Sequence, residues 1–130
     1  MSKINNLANE LIDNGINLVF GITGGGASLE LINGLTDKGA TYYDCCHEAS
    51  AAIIAGSINQ NGVISSLSIS IRGPGLTNSI PGITSNYFES IPSISISESH
   101  ASSQIINSHK RINHSKLLSS ITKRYISLDK

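Results

Sequence analysis

Ile16-Asn17-Leu18-Val19-Phe20-Gly21-Ile22-Thr23-Gly24-Gly25-Gly26 is the stretch that decides the fold. Its apolar run, residues 16–20, ends in glycines, which is the pattern of a buried strand feeding a loop. Both flanks have the period of helices. Upstream, Ile4, Leu7, Ala8, Leu11 and Ile12 recur at helical spacing and Gly15 stands where a helix commonly ends, so residues 3–14 read as a first helix. Downstream, Ser28 can cap a second helix whose apolar face is Leu29, Ile32 and Leu35, with Gly39 after it.

The same alternation continues along the chain. Residues 40–45 read as a second strand, followed by an alanine-rich helix from His47 to about Asn59 that contains Ala49, Ala51, Ala52 and Ala55. Residues 63–71 alternate, with Leu67, Ile69 and Ile71 on one face and Ser66, Ser68 and Ser70 on the other, the period of a strand. Residues 76–88 read as a helix with Pro81 in about its first turn, where proline is tolerated. Ile94 and Ile96 alternate with Ser93, Ser95 and Ser97 to give a fourth strand. Residues 98–115 are polar and show no clear period, 117–121 read as a short helix, and 124–128 as a fifth strand.

Strands alternating with crossover-length helices predict an α/β fold, a parallel sheet covered on both faces. Such a sheet binds ligands at the carboxyl ends of its strands. The glycine loop, His47-Glu48 and the segment from Arg72 to Gly75 each follow a candidate strand, so all three are expected on one edge.

Bulk properties narrow the function. At 130 residues the chain is one domain, 1–130, large enough to bury roughly two thirds of its unfolded surface. Lys plus Arg and Asp plus Glu each number 9, so no basic excess favours a nucleic-acid partner. No apolar stretch of signal or membrane length occurs, which makes a cytoplasmic location the default expectation. Cys45 and Cys46 are adjacent and read as reduced thiols, because neighbouring cysteines close a strained ring. With His47 they could suggest metal ligands, but consecutive side chains on a strand point to opposite faces, so no metal site is expected. His100, His109 and His114 lack ligand spacing and read as solvated.

Glu48 is the sharpest functional candidate. A carboxylate at the mouth of an apolar helix is partly desolvated, which suits it to exchange a proton near neutral pH. The bland alternative is that it complements the helix dipole, worth under about 1 kcal/mol. Gly24, Gly25 and Gly26 between strand and helix suggest a phosphate cradle, yet no Gly-x-Gly-x-x-Gly is completed. A tight turn needing positive φ is equally consistent with them.

Five pieces in order, Gly15-Ile16 through Val19-Phe20-Gly21-Ile22, the Gly24-Gly25-Gly26 loop, His47-Glu48-Ala49, Gly73-Pro74-Gly75-Leu76-Thr77-Asn78 and Ser90-Ile91-Pro92, carry a family likeness over residues 4–126. The chain resembles the N-terminal, pyrimidine-binding domain of thiamine-diphosphate-dependent enzymes of the acetolactate synthase and 2-oxo acid decarboxylase type. The resemblance implies a three-layer α/β/α sheet. It also implies that Glu48 hydrogen-bonds the pyrimidine ring nitrogen and favours the tautomer that deprotonates the thiazolium carbon. Gly73, Pro74, Gly75 and Asn78 would form the turn beside the pyrimidine, and Gly24, Gly25 and Gly26 the loop near the substrate. Two departures stand out: Thr23 where proline is usual, and Arg72 where serine is common. Arg72 could hold a substrate carboxylate bidentately, or simply join a salt bridge.

The resemblance further implies a Mg2+ ion, held with the diphosphate by a Gly-Asp-Gly…Asn-Asn domain that is not found in these 130 residues. The active site would then need a diphosphate-binding domain or subunit in a homo- or hetero-oligomer, and the chain alone should not be catalytic. The family's final strand, inserted beside the fourth, is also expected to be missing, leaving an unfilled slot or open edge. The chain would accordingly be a fragment, a truncated frame or a separate subunit. The alternatives are a non-catalytic interaction module or relic of the same fold and, more weakly, a nucleotide-binding domain built on the glycine loop.

Overall fold

A computed structural model describes residues 3–100 and 108–128. The amphipathic first segment forms helix α1 (Lys3–Asp13), and the apolar run after Gly15 forms strand β1 (Leu18–Gly21). There follow α2 (Ala27–Thr36), β2 (Thr41–Asp44), α3 (Glu48–Ile58) with a 3-10 turn (Asn59–Asn61), β3 (Ser66–Ser70), α4 (Pro74–Phe88), β4 (Ser95–Ser97) and α5 (His114–Leu118). The four strands form one parallel sheet in the order β2-β1-β3-β4. Helices cover both faces, so the expected three-layer α/β/α architecture is present.

The two faces use different chemistry. On one, Val19, Leu67 and Ile69 pack against Ala8 of α1 and Leu31, Ile32 and Leu35 of α2, an apolar core into which Ile94 and Ile96 also fit. On the other, Phe20 meets Ala51 and Ala55 of α3, and β3 presents Ser66, Ser68 and Ser70. All five residues of β3 are buried, because small side chains let α3 lie close against the strand. Ser66 Oγ stands 2.7 Å from the Ala55 carbonyl, and Ser68 Oγ is 2.9 Å from Ser95 Oγ.

Asn59, fully buried where α3 ends, pins that helix to β3. Its Oδ1 accepts from the backbone N–H groups of Ser65 and Ser66 at 3.1 and 3.2 Å, and its Nδ2 donates to the Ser66 carbonyl at 3.1 Å. Helices α3 and α4 are equally close. A Cβ at Gly82 would collide with the Ala49 carbonyl and stand 2.8 Å from Ala52 Cβ, while one at Gly56 would overlap the Asn86 amide. That amide donates to the Ala52 carbonyl at 2.9 Å.

Four expectations need correction. Ser28 lies inside α2; the cap position belongs to Gly26, at φ +72°, and the Ser28 hydroxyl donates to the Gly25 carbonyl. Pro81 sits two turns into α4 because that helix already starts at Pro74, so it withholds an interior N–H. The last helix covers His114–Leu118 and not 117–121, with Asn113 as its cap. Residues 124–128 form no strand: they are exposed, and no strand pairs with them among the described residues. Alternating Tyr125, Ser127 and Ile126, Leu128 state which faces a strand would have, not whether a neighbour exists to bond it. Of the polar stretch at 98–115, residues 101–107 lie outside the described residues.

Candidate active site at the carboxyl edge of the sheet

The loops after β1, β2 and β3 and the residues after β4 all meet at the carboxyl edge, as a doubly wound parallel sheet requires. Two neighbouring constellations form there.

The first centres on Glu48. His47 is the N-cap of α3, its Nδ1 accepting from the Ala49 N–H at 3.1 Å, which sets Glu48 at the first position of the helix. There its carboxylate faces the positive end of the helix dipole. Only 8% of Glu48 is exposed. Asn78, on the second turn of α4, donates from Nδ2 to Glu48 Oε2 at 3.2 Å. The other oxygen, Oε1, accepts no hydrogen bond among the described residues. A Cβ at Gly75 would stand 3.6 Å from Oε1, so glycine there keeps the space beside the carboxylate open. Glu48, Gly75 and Asn78 therefore come together as the sequence implies, with Gly73 (φ +65°) and Pro74 making the turn that starts α4.

The second is a cleft of about 330 Å³ whose walls include Gly24, Gly25, Ile71, Arg72, Glu98 and Lys110. Arg72 Nε donates to Glu98 Oε1 at 3.1 Å, and Ser28 N–H donates to Glu98 Oε2 at 3.3 Å. Arg72 Nη1 lies 3.3 Å from His100 Nδ1, and His100 Nε2 lies 2.7 Å from the His109 carbonyl. Only one tautomer satisfies both contacts: Nδ1 accepts from the guanidinium and Nε2–H donates to the carbonyl. Burial pushes the Glu98 carboxyl upward, but the hydrogen bonds from Arg72 and Ser28 and the guanidinium charge outweigh it, and Glu98 titrates below its ordinary value. Arg72 thus joins the salt bridge that the sequence left as one of two options.

Glu98 and Lys110 were missed by the sequence reading. Glu98 directly follows β4 at the same sheet edge, so topology offered a signal; Lys110 belongs to a turn whose backbone carbonyl lies against Gly73, a contact only the fold reveals. His114, expected in solvent, is 6% exposed, and burial together with the proximity of His100 lowers its pKa. Burial raises the half-buried Cys45 thiol, and Cys46 is exposed. No group of three or more His, Cys, Asp or Glu could hold a metal ion among the described residues, and none of their helices is long and apolar enough to cross a membrane.

The family model described as thiamine pyrophosphate enzyme, N-terminal TPP binding domain, matches residues 2–117. The chain belongs to this family. Within it, the likeness is to acetolactate synthases. This TPP-enzyme domain is 38% identical over 96 residues to an acetolactate synthase large subunit of Buchnera aphidicola subsp. Acyrthosiphon pisum, covering 73% of the chain and 17% of that protein. It is 39% identical over 97 residues to the large subunit from Buchnera aphidicola subsp. Schizaphis graminum, covering 73% and 17%. Over 82 residues it is 35% identical to the acetolactate synthase isozyme 2 large subunit of Escherichia coli K12, covering 63% and 15%. The chain spans about a sixth of the length of these relatives.

Proposed function

We propose that this chain, as a single domain over 1–130, is the pyrimidine-binding half of a thiamine-diphosphate enzyme that decarboxylates or carboligates 2-oxo acids. One observation carries the reading: a buried glutamate at a helix N-terminus, tied at Oε2 by Asn78 and left without a hydrogen bond at Oε1 beside a side-chain-free Gly75. That arrangement fits the cofactor, since a ring nitrogen needs a carboxylate with one oxygen to spare and room next to it. When bound, thiamine diphosphate supplies the carbanion chemistry that 2-oxo acid cleavage requires.

With the cofactor bound, Glu48 Oε1 would hold and return a proton at the pyrimidine ring nitrogen, while Asn78 fixes the carboxylate through its other oxygen. Gly73, Pro74 and Gly75, which form the turn into α4, would border the ring. Gly24, Gly25, Gly26 and Arg72 face the substrate side. A Mg2+ ion and the diphosphate belong to a partner domain or subunit, and the working unit is a homo- or hetero-oligomer in which the edge carrying Glu48 is covered. Reduced Cys45 and Cys46 accord with a cytoplasmic setting.

The test is Glu48→Gln in the polypeptide that carries this chain, assembled with its diphosphate-binding part. Turnover of 2-oxo acids should fall by about 10²- to 10⁴-fold while far-ultraviolet circular dichroism stays the same. Undiminished turnover would overturn the assignment.

A further inference from the structure

The cleft beside the glycine loop holds its arginine in a way that a structural salt bridge alone does not need. Glu98 takes Nε and His100 takes Nη1, so two edges of the planar guanidinium are fixed. The third nitrogen, Nη2, forms no hydrogen bond among the described residues and lies 3.5 Å from the point a Cβ at Gly26 would occupy. The absence of a side chain at Gly26 thus leaves room beside a pre-aimed donor. Lys110 lines the same cleft and forms no ion pair among the described residues. Arg72 and Lys110 bring two positive charges against the single negative charge of Glu98, so the cleft is suited to an anion.

Which anion follows from the chemistry proposed for the neighbouring glutamate, on which this inference rests. A 2-oxo acid loses the charge of its carboxylate as carbon dioxide departs. A cation clamped on that carboxylate would stabilise the ground state more than the transition state and slow the step. Fixed cations are productive only on a charge that survives the reaction. We infer that the cleft at Gly24, Gly25, Arg72 and Lys110 selects a 2-oxo acid bearing a second, distal acidic group, a carboxylate, sulfonate or phosphonate, which Arg72 grips while the reacting carboxylate lies elsewhere.

The experiment compares kcat/KM for pyruvate with that for 2-oxoglutarate, oxaloacetate, 3-sulfopyruvate and 3-phosphonopyruvate, using the assembled enzyme. Dissociation constants of the unreactive propionate and succinate, measured by calorimetry on the same protein, provide a readout independent of turnover. At least one doubly charged substrate should be preferred by roughly ten- to a hundredfold, the worth of a charge-assisted hydrogen bond, and succinate should bind more tightly than propionate. Arg72→Met should reduce both preferences tenfold or more, and Arg72→Lys should restore part of them. Lys110→Met, at an exposed turn position, should erode the same ratios without the folding risk of unpairing Glu98. Equal handling of one and two charges by the wild type, or a preference that survives both Met substitutions, overturns the inference. Failure of Glu48→Gln to affect turnover overturns the functional reading instead, and the succinate preference is read separately from it.

Discussion

Replacing Asn59 with alanine should remove a large part of the domain's stability. The side chain is fully buried and makes three hydrogen bonds to the backbone of Ser65 and Ser66. Ser66 Oγ is also within reach of Asn59 Oδ1, at 2.9 Å, but its single proton can go there or to the Ala55 carbonyl, not both at once. Alanine leaves two N–H groups and one carbonyl without these partners, each costing roughly 1–3 kcal/mol when buried. Water entering the vacated volume recovers part of this, so the net loss is about 3–5 kcal/mol against a total stability of roughly 5–15. Urea unfolding followed by circular dichroism is the assay. With a slope near 1.5–2 kcal/mol per molar, the midpoint should fall by about 2 M. Asn59→Asp offers a control of opposite pH sign: it buries a carboxylate at neutral pH but should regain stability on acidification, when the acid form can donate to the Ser66 carbonyl. A midpoint shift under about 0.5 M for the alanine variant, or an aspartate variant that only weakens in acid, would refute the pinning role.

Further outcomes follow from the same geometry. Asn78→Ala frees Glu48 Oε2 and should lower kcat/KM of the assembled enzyme about ten- to a hundredfold without unfolding the domain, a split read by steady-state kinetics beside a thermal melt. Gly82→Ala places a methyl group against the Ala49 carbonyl, one residue from Glu48, and should cost about 1–3 kcal/mol in a melt; an unchanged melting temperature would show that α3 and α4 can separate freely. Acid should destabilise the fold in two windows. His114 is depressed below its ordinary 6.5, so the unfolded chain takes up its proton first and stability drops as the pH falls through that value toward the folded one. Glu98 is depressed below 4.5, so its contribution is present above that pH and lost below it. His114→Gln should flatten the upper window in pH-dependent urea titrations and leave the lower one in place.

The fold was legible wherever an element could be recognised from its own residues. Apolar runs ending in glycine marked β1, and the alanine run marked α3. What escaped notice depended on neighbours distant in sequence. The serines of β3 mark one face of a strand, but their partners, the Ala55 carbonyl for Ser66 and the Ser95 hydroxyl for Ser68, come from elements 11 and 27 residues away. The 124–128 segment alternates like a strand but has no strand beside it among the described residues. At the site, Glu48, Gly75 and Asn78 could be anticipated because the order of motifs along the chain carries them. The Arg72–Glu98 pair was only half legible: topology brings Glu98, just after β4, to the same edge, but Arg72 alone is compatible with either a ligand or an internal partner.

The unlike faces of the sheet give the domain unlike responses to temperature. Burial of apolar surface loses its driving force on cooling, whereas hydrogen bonds between well-fitted polar groups do not share that dependence. The α1 and α2 layer is held by leucine, isoleucine and valine, while the α3 layer relies on serine hydroxyls, the Asn59 and Asn86 amides and close glycine contacts, with only small apolar clusters. In the cold the layer opposite the site is therefore the one to loosen first, and the helix that begins with Glu48 is the one that keeps its seat.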